Sequence, residues 1–190
     1  MIQTQTDYLE YVEADRVAAN WQPQFDFKEW LTNPVRRYVR LLRKREWLVN
    51  TKPKKGIWRF VRLWYGFWFR RLSTQLCLTI PENCFGPGLY ITHGGPIVVN
   101  PKARIGKNCE INICVNIGHG YDCGGAPQIG DNCFIGPGAK IFGDIVIGDN
   151  VKIGANAVVN KSFPDGNCTL VGVPARSVNS LHRRKANVDE

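Results

Sequence analysis

The chain has 190 residues, 44% of them hydrophobic and 22% charged, a balance that excludes the disordered and collagen-like classes and can bury a core. The net charge of +9 is unevenly spread. Residues 1–27 hold one basic and five acidic side chains (−4), residues 28–76 fourteen and two (+12), and residues 77–190 ten and nine (+1).

The first residues show no secretory leader pattern, and no apolar run reaches membrane-spanning length. The seven cysteines lack CxxC spacing, which argues against a zinc ribbon or a redox dithiol and for buried thiols in a cytoplasmic protein.

Asp7 followed by Glu10 has the spacing of a capping box and predicts a helix through about Ala19. Asn33-Pro34 reads as the cap and first position of a second helix, running to about Val49. Gly56 to Leu76 is a third helical stretch, where Trp58, Phe60, Trp64, Tyr65, Phe67, Trp68 and Phe69 lie among Arg59, Arg62, Arg70 and Arg71. Three roles are open to residues 56–76: packing on the rest of the chain or on a neighbouring subunit, peripheral contact with the inner face of a membrane, or nucleic-acid binding. Nucleic acid is disfavoured because no recognition module accompanies the charge. Residues 1–76 are read as one helical basic segment.

Val99, Ile105, Ile111 and Ile117 recur every six positions, and after one break Ile129, Ile135, Ile141, Ile147, Ile153 and Val159 do so again. Ile105, Ile129, Ile147 and Ile153 each open the pattern Ile-Gly-x-Asn, and Cys109, Val115, Cys133, Ala139, Val151 and Ala157 fill a second small or aliphatic slot. Such a period predicts short parallel strands that turn at corners where Gly and Asn accept left-handed backbone angles. Three sides make a coil, and stacked coils ladder their aliphatic side chains inside a triangular prism. Residues 77–177 are therefore read as a mainly β, parallel β-helix domain, and residues 178–190 as a flexible tail. The break, Gly118 to Pro127, reads as an extruded loop, either functional or a tolerated insertion.

His93 stands just before the regular repeats. Carrying the frame backward puts it in the slot that Ile111 holds one coil later, whereas Gly94-Gly95-Pro96 offers the backbone a way out of the frame. The imidazole then either faces a cleft or sits buried and satisfied. No metal is expected: a zinc site of the carbonic anhydrase type needs three histidines, and His93 and His119 have no third near them in sequence.

Five segments in order, Thr92-His-Gly-Gly-Pro-Ile-Val-Val99, the glycine-bearing loop after Ile117, Ile135-Gly-Pro-Gly-Ala-Lys-Ile-Phe-Gly143, Val151-Lys-Ile-Gly-Ala-Asn-Ala-Val-Val159 and Gly172-Val-Pro-Ala-Arg176, resemble the catalytic domain of serine acetyltransferases. The resemblance covers Gly86 to Arg176, about half the chain. It implies left-handed coils, acetyl-CoA as co-substrate, and a homotrimer with active sites between neighbouring prisms. It assigns His93 as the general base that takes a proton from an acceptor hydroxyl, and the Gly118 amide as a donor to the developing oxyanion. Pro137, Lys152, Ala155 and Arg176 fall where the family meets CoA, the two cations being suited to phosphates. Lys152 also reads as a solvated side chain at a prism corner.

The departures from that family point to a different acceptor. Leu78 stands where an acid steadies the histidine, Thr92 replaces the acid before it, and Gly125-Ala126 replace an Arg-His pair that grips the amino acid. A zwitterionic serine would lose partners for both charges, so a neutral saccharide acceptor is expected. That expectation matches a narrower resemblance, carried by Asp7-Tyr-Leu-Glu10, Ala14-Asp-Arg-Val17 and the Arg-rich segment, to acetyltransferases associated with capsular or exopolysaccharide synthesis. Thr92, His119 and Asp122 are the candidate acceptor contacts, with Asp122 able to replace the missing orienting acid. The alternatives are serine O-acetylation in cysteine synthesis and a non-catalytic trimeric saccharide-binding scaffold.

Overall fold

In the computed structural model, which describes residues 1–22, 31–120 and 124–178, the first helix starts earlier than its sequence signature suggests. Helix α1 (Gln5–Ala18) is capped by Thr4: its hydroxyl accepts from the Asp7 N–H while the Asp7 carboxylate accepts from the Thr4 N–H. The capping box is thus Thr4–Asp7, one turn ahead of the Asp7–Glu10 pair. Helix α2 (Pro34–Thr51) opens as expected, with the Asn33 side chain accepting from the Arg36 N–H and Pro34 at the first position. Helix α3 (Ile57–Leu76) stops at Cys77, which adopts a left-handed conformation at φ 54°. Tyr38 of α2 stacks on Phe69 of α3 with ring centroids 5.0 Å apart. Tyr38, Val39, Leu42, Phe69 and Leu72 join the aliphatic residues of the β domain in one continuous core.

Beyond Cys77 the chain winds through three parallel faces. The first face stacks β1 (Leu78–Thr79), β3 (Ile97–Val99), β6 (Val115–Gly118), β9 (Lys140–Phe142) and β12 (Val158–Val159). The second stacks β4 (Arg104–Ile105), β7 (Gln128–Ile129) and β10 (Val146–Ile147), extended at its ends by bridges from Phe85 and Phe163. The third stacks β2 (Tyr90–Ile91), β5 (Glu110–Ile111), β8 (Phe134–Ile135), β11 (Lys152–Ile153) and β13 (Thr169–Val171), and closes with β14 (Arg176–Val178), which runs antiparallel to β13. This is the parallel β-helix expected from the hexapeptide period, in the left-handed form that the family resemblance implied. Ile111, Ile135 and Ile153 are in register on successive coils and fully enclosed, as are Ile117 and Ile141. Burying one such side chain contributes about 1.5–3 kcal/mol, so the ladders supply most of the domain's cohesion. Cys84, Cys109 and Cys133 are buried free thiols among them, while Cys77 and Cys114 are exposed.

The corner between the second and third faces explains the Asn in the repeat. Asn108, Asn132, Asn150 and Asn167 adopt φ values of 53°, 56°, 56° and 50°, which Asn tolerates far better than most residues. Their side chains hydrogen-bond in series along the edge, Asn108 donating to Asn132 at 3.0 Å, Asn132 to Asn150 at 3.2 Å and Asn150 to Asn167 at 2.9 Å. Asn156, although it closes the same tetrapeptide, turns a different corner, between the third and first faces.

A buried polar cluster fastens the helices to the first coil. Arg43 of α2 donates to the carbonyls of Phe85 at 3.0 Å and Gly86 at 2.6 Å, and Glu46 accepts from the Asn83 N–H at 2.8 Å. Asp15 of α1 accepts from the N–H groups of Gly88 and Leu89 at 2.9 and 2.8 Å. Burial alone would push the Arg43 guanidinium down, but the Glu46 and Asp15 carboxylates outweigh it and hold the group well above its ordinary value. The cation therefore stays charged inside the core.

Candidate active site

The six-residue frame does not run backward through His93. Ile91, not His93, pairs with Ile111, and Val99 pairs with Ile117. Eight residues separate Ile91 from Val99, whereas six separate Ile111 from Ile117 and Ile135 from Ile141. The first turn between the third and first faces is therefore two residues wider than those stacked beneath it, and His93 lies in it, exposed. Of the two outcomes open at the sequence level, the backbone leaves the frame and the ring is not enclosed among the aliphatic ladders.

Contacts from outside the repeat hold the wide turn in place. The Gly95 N–H donates to the Leu76 carbonyl at 3.0 Å and the Ile97 N–H to the Cys77 carbonyl at 3.1 Å, tying the corner to the end of α3. A Cβ on Gly94 would stand 2.9 Å from Leu76 Cδ2, so glycine lets helix and turn approach. Thr92 sits at the start of the turn, and its hydroxyl donates to Asn112 Oδ1 at 2.9 Å, while Asn112 Nδ2 donates to the Ile135 carbonyl at 3.1 Å. Asn112 was not singled out from the sequence; its place one coil below Thr92 is visible only once the coils are stacked.

The remaining candidates divide between two edges and a face. Pro137 and Ala155 are exposed on the same edge as His93, in the third and fourth stacked turns. At about 4.8 Å per coil the edge from His93 to Ala155 spans roughly 14 Å. Gly138, beside Pro137, has φ 76°, and a Cβ there would meet Asn156 Oδ1 at 2.0 Å, so a side chain at this position would have to displace the Asn156 amide. Lys152 is exposed on β11 of the third face, and Arg176 is exposed on β14 of the same face with β13 between them. Both cations thus face solvent on the side that leads to Ala155.

Gly118 ends β6 at the opposite side of the first face from the His93 turn. Register fixes the length of the loop that follows: Ile117 to Ile129 is twelve residues where Val99 to Ile105 is six, an insertion of six. His119 is exposed, and its Nδ1 lies 2.8 Å from the Gly120 carbonyl, which can only accept, so that nitrogen carries the proton. Asp122 lies outside the described residues, as do Cys123 and the expected tail from residue 179 onward. Leu78 is enclosed and paired with Ile97, so its position belongs to the core. Within one prism, His93 and the loop are separated by the width of the first face. No group of three or more metal-binding side chains gathers among the described residues.

A cleft of about 630 Å³ between α1 and the third face is lined by Glu10, Glu13 and Glu110 and does not touch His93. Its acidic wall would repel CoA phosphates.

A family profile described as bacterial transferase hexapeptide (six repeats) matches residues 126–161. A serine acetyltransferase of Staphylococcus xylosus is 44% identical over 106 residues, covering 55% of this chain and 49% of its own. The chain thus spans about half the length of the curated relatives it matches. The crystal structure of Neisseria gonorrhoeae serine acetyltransferase superposes with a TM-score of 0.70 at 30% identity, covering 99% of this chain and 73% of that one. That of serine acetyltransferase in complex with coenzyme A from Brucella abortus strain S19 does so with a TM-score of 0.70 at 26% identity, covering 92% and 69%.

These similarities overturn the saccharide acceptor expected from the sequence, and with it the narrower tie to capsular or exopolysaccharide synthesis: the relatives and the solved structures that this chain resembles are serine acetyltransferases. The expectation weighed charge at Leu78, Thr92, Gly125 and Ala126. Two of those four positions, Leu78 and Ala126, are enclosed in the core, whereas the likeness extends over the whole β domain and its helices.

Proposed function

Because the chain belongs to the bacterial hexapeptide-repeat transferases, we propose that it moves an acetyl group from acetyl-CoA to the hydroxyl of serine, with His93 as general base. The observation that carries this reading is the exposed imidazole in a widened turn at the head of the edge that also holds Pro137 and Ala155. An imidazole nitrogen takes the hydroxyl proton as the serine oxygen attacks the thioester carbonyl carbon. The new C–O bond forms, the C–S bond breaks, and the departing thiolate takes the proton back from the imidazolium. The pantetheine arm lies along the edge, with Lys152 and Arg176 toward the phosphates.

Gly118 stands across the first face from His93, so its amide serves an oxyanion only at the junction of two prisms. We therefore assign the active form to a homotrimer in which the loop of one prism faces the His93 turn of the next. Thr92 has its hydroxyl committed to Asn112 and Leu78 is enclosed, so the charged groups of serine are assigned to the neighbouring loop, which carries His119 and Asp122.

The test is release of free CoA thiol from acetyl-CoA with and without serine, for the wild type and for His93→Ala. Serine-dependent release that falls about 10²- to 10⁴-fold in the variant, with an unchanged melting temperature, supports the reading. Release indifferent to serine, or to the substitution, overturns it.

A further inference from the structure

The buried face of α3 carries Gly66, Phe69 and Leu72, but another face of the same helix is apolar and uncovered. Ile57, Phe60, Leu63, Trp64 and Phe67 recur at helical spacing, and each leaves 54–73% of its surface in solvent. Lys54, Lys55 and Arg59 at one end, and Arg70 and Arg71 at the other, are exposed around this stripe. Between Lys52 and Leu76 there are seven basic side chains and no acidic one.

Beside the stripe, α1, α2 and α3 enclose a cavity of about 530 Å³. Arg37, Arg40, Lys44 and Arg71 line it together with Tyr65 and Trp68, and none of its lining side chains is acidic. Arg71 and the partly exposed Trp68 are adjacent to the stripe on α3 as well. Burial, then the nearby Lys52, pushes the Lys44 ammonium below its ordinary value, and an anion beside it would favour the charged form.

We propose that α3 is an interfacial helix that docks the protein on an anionic lipid bilayer, its apolar stripe entering the acyl boundary while the basic cavity seats a headgroup phosphate. Aromatic and branched side chains on one face, with arginine and lysine around them, are what such a surface selects. Charge complementarity separates this occupant from a second copy of the same helix: antiparallel self-pairing would set one seven-cation segment against another. No helix among the described residues is long and apolar enough to cross a membrane, so the contact is peripheral. Because the Leu76 carbonyl holds the turn containing His93, docking α3 brings that turn close to the lipid surface. The proposal stands independently of the reaction above.

Cosedimentation of the full chain with vesicles tests it. Binding is expected to phosphatidylcholine vesicles containing about a third phosphatidylglycerol, with a blue shift in tryptophan emission, and to weaken about tenfold or more in high salt. Vesicles of phosphatidylcholine alone are expected to leave the protein in solution. Phe60→Ser with Phe67→Ser, both exposed, should abolish binding without changing the circular dichroism, and Arg40→Gln with Lys44→Gln should weaken it severalfold. Equal binding to both vesicle types overturns the proposal. So does absence of binding together with a fall in solution mass in the Phe60→Ser, Phe67→Ser variant, which assigns the stripe to a second copy. Saturable binding of inorganic phosphate without vesicle affinity overturns it as well.

Discussion

Arg43 Nε and Asp15 Oδ2 meet at 2.8 Å, and both side chains are enclosed, although they come from different helices. Arg43 Nη2 also reaches Asp15 Oδ1 at 3.1 Å, making the pair bidentate, and Nη1 donates to Glu46 at 2.9 Å. Asp15 Oδ1 also accepts from the Gly88 and Leu89 amides, so one carboxylate joins α1, α2 and the first coil.

Asp15→Ala leaves the buried Arg43 with Glu46 as its one carboxylate partner and strands two backbone donors. It is expected to cost about 3–5 kcal/mol in urea unfolding, and Asp15→Asn, which keeps an acceptor oxygen, distinctly less. A loss for Asp15→Ala below about 1 kcal/mol would show that the cluster does not hold the helices in place.

Asn132 tests the corner ladder. Its φ of 56° opposes any residue with an ordinary β-carbon, and it accepts from Asn108 and donates to Asn150. Asn132→Ala is expected to destabilise by about 1–2 kcal/mol through the backbone angle, and Asn132→Gly by less, although glycine also lacks the side chain. If glycine proves the worse of the two in thermal melts, the ladder's hydrogen bonds outweigh the angle.

Thiol labelling tests the packing of the prism. Burial pushes the Cys84 thiol up to about 11 and the Cys109 thiol well above its ordinary value, with Cys133 shifted the same way. These three should resist maleimide at neutral pH until the protein unfolds, while exposed Cys77 and Cys114 react promptly. Mass-mapped labelling of native protein decides it, and rapid modification of Cys109 would contradict the enclosed ladder.

Much of this architecture is legible in the sequence because a β-helix repeats its physics every six residues. Each Ile of the repeat needs an enclosed slot and each Asn a left-handed backbone angle, so spacing alone predicts strands, corners and coils. Glu46, the lone acid between residues 30 and 76, was a visible signal for a buried ion pair, but nothing local linked it to Arg43, Asn83 and Asp15. The acceptor was misread for a related reason: the charges at a few positions describe one prism, whereas the proposed cleft belongs to two.

The sequence by itself determined the period and the core-facing residues, since these depend on neighbours six residues or a helical turn away; His93 as general-base candidate rests on the family resemblance. Only the tertiary structure decided that Ile91 rather than His93 enters the ladder, that Asn156 turns a different corner from Asn132, and that half of α3 stays uncovered. Each of those outcomes rests on contacts between distant segments, as when the carbonyls of Leu76 and Cys77 hold open a turn two residues wider than the repeat. A local pattern carries no record of such contacts, because their energy exists only after the helices have packed against the first coil.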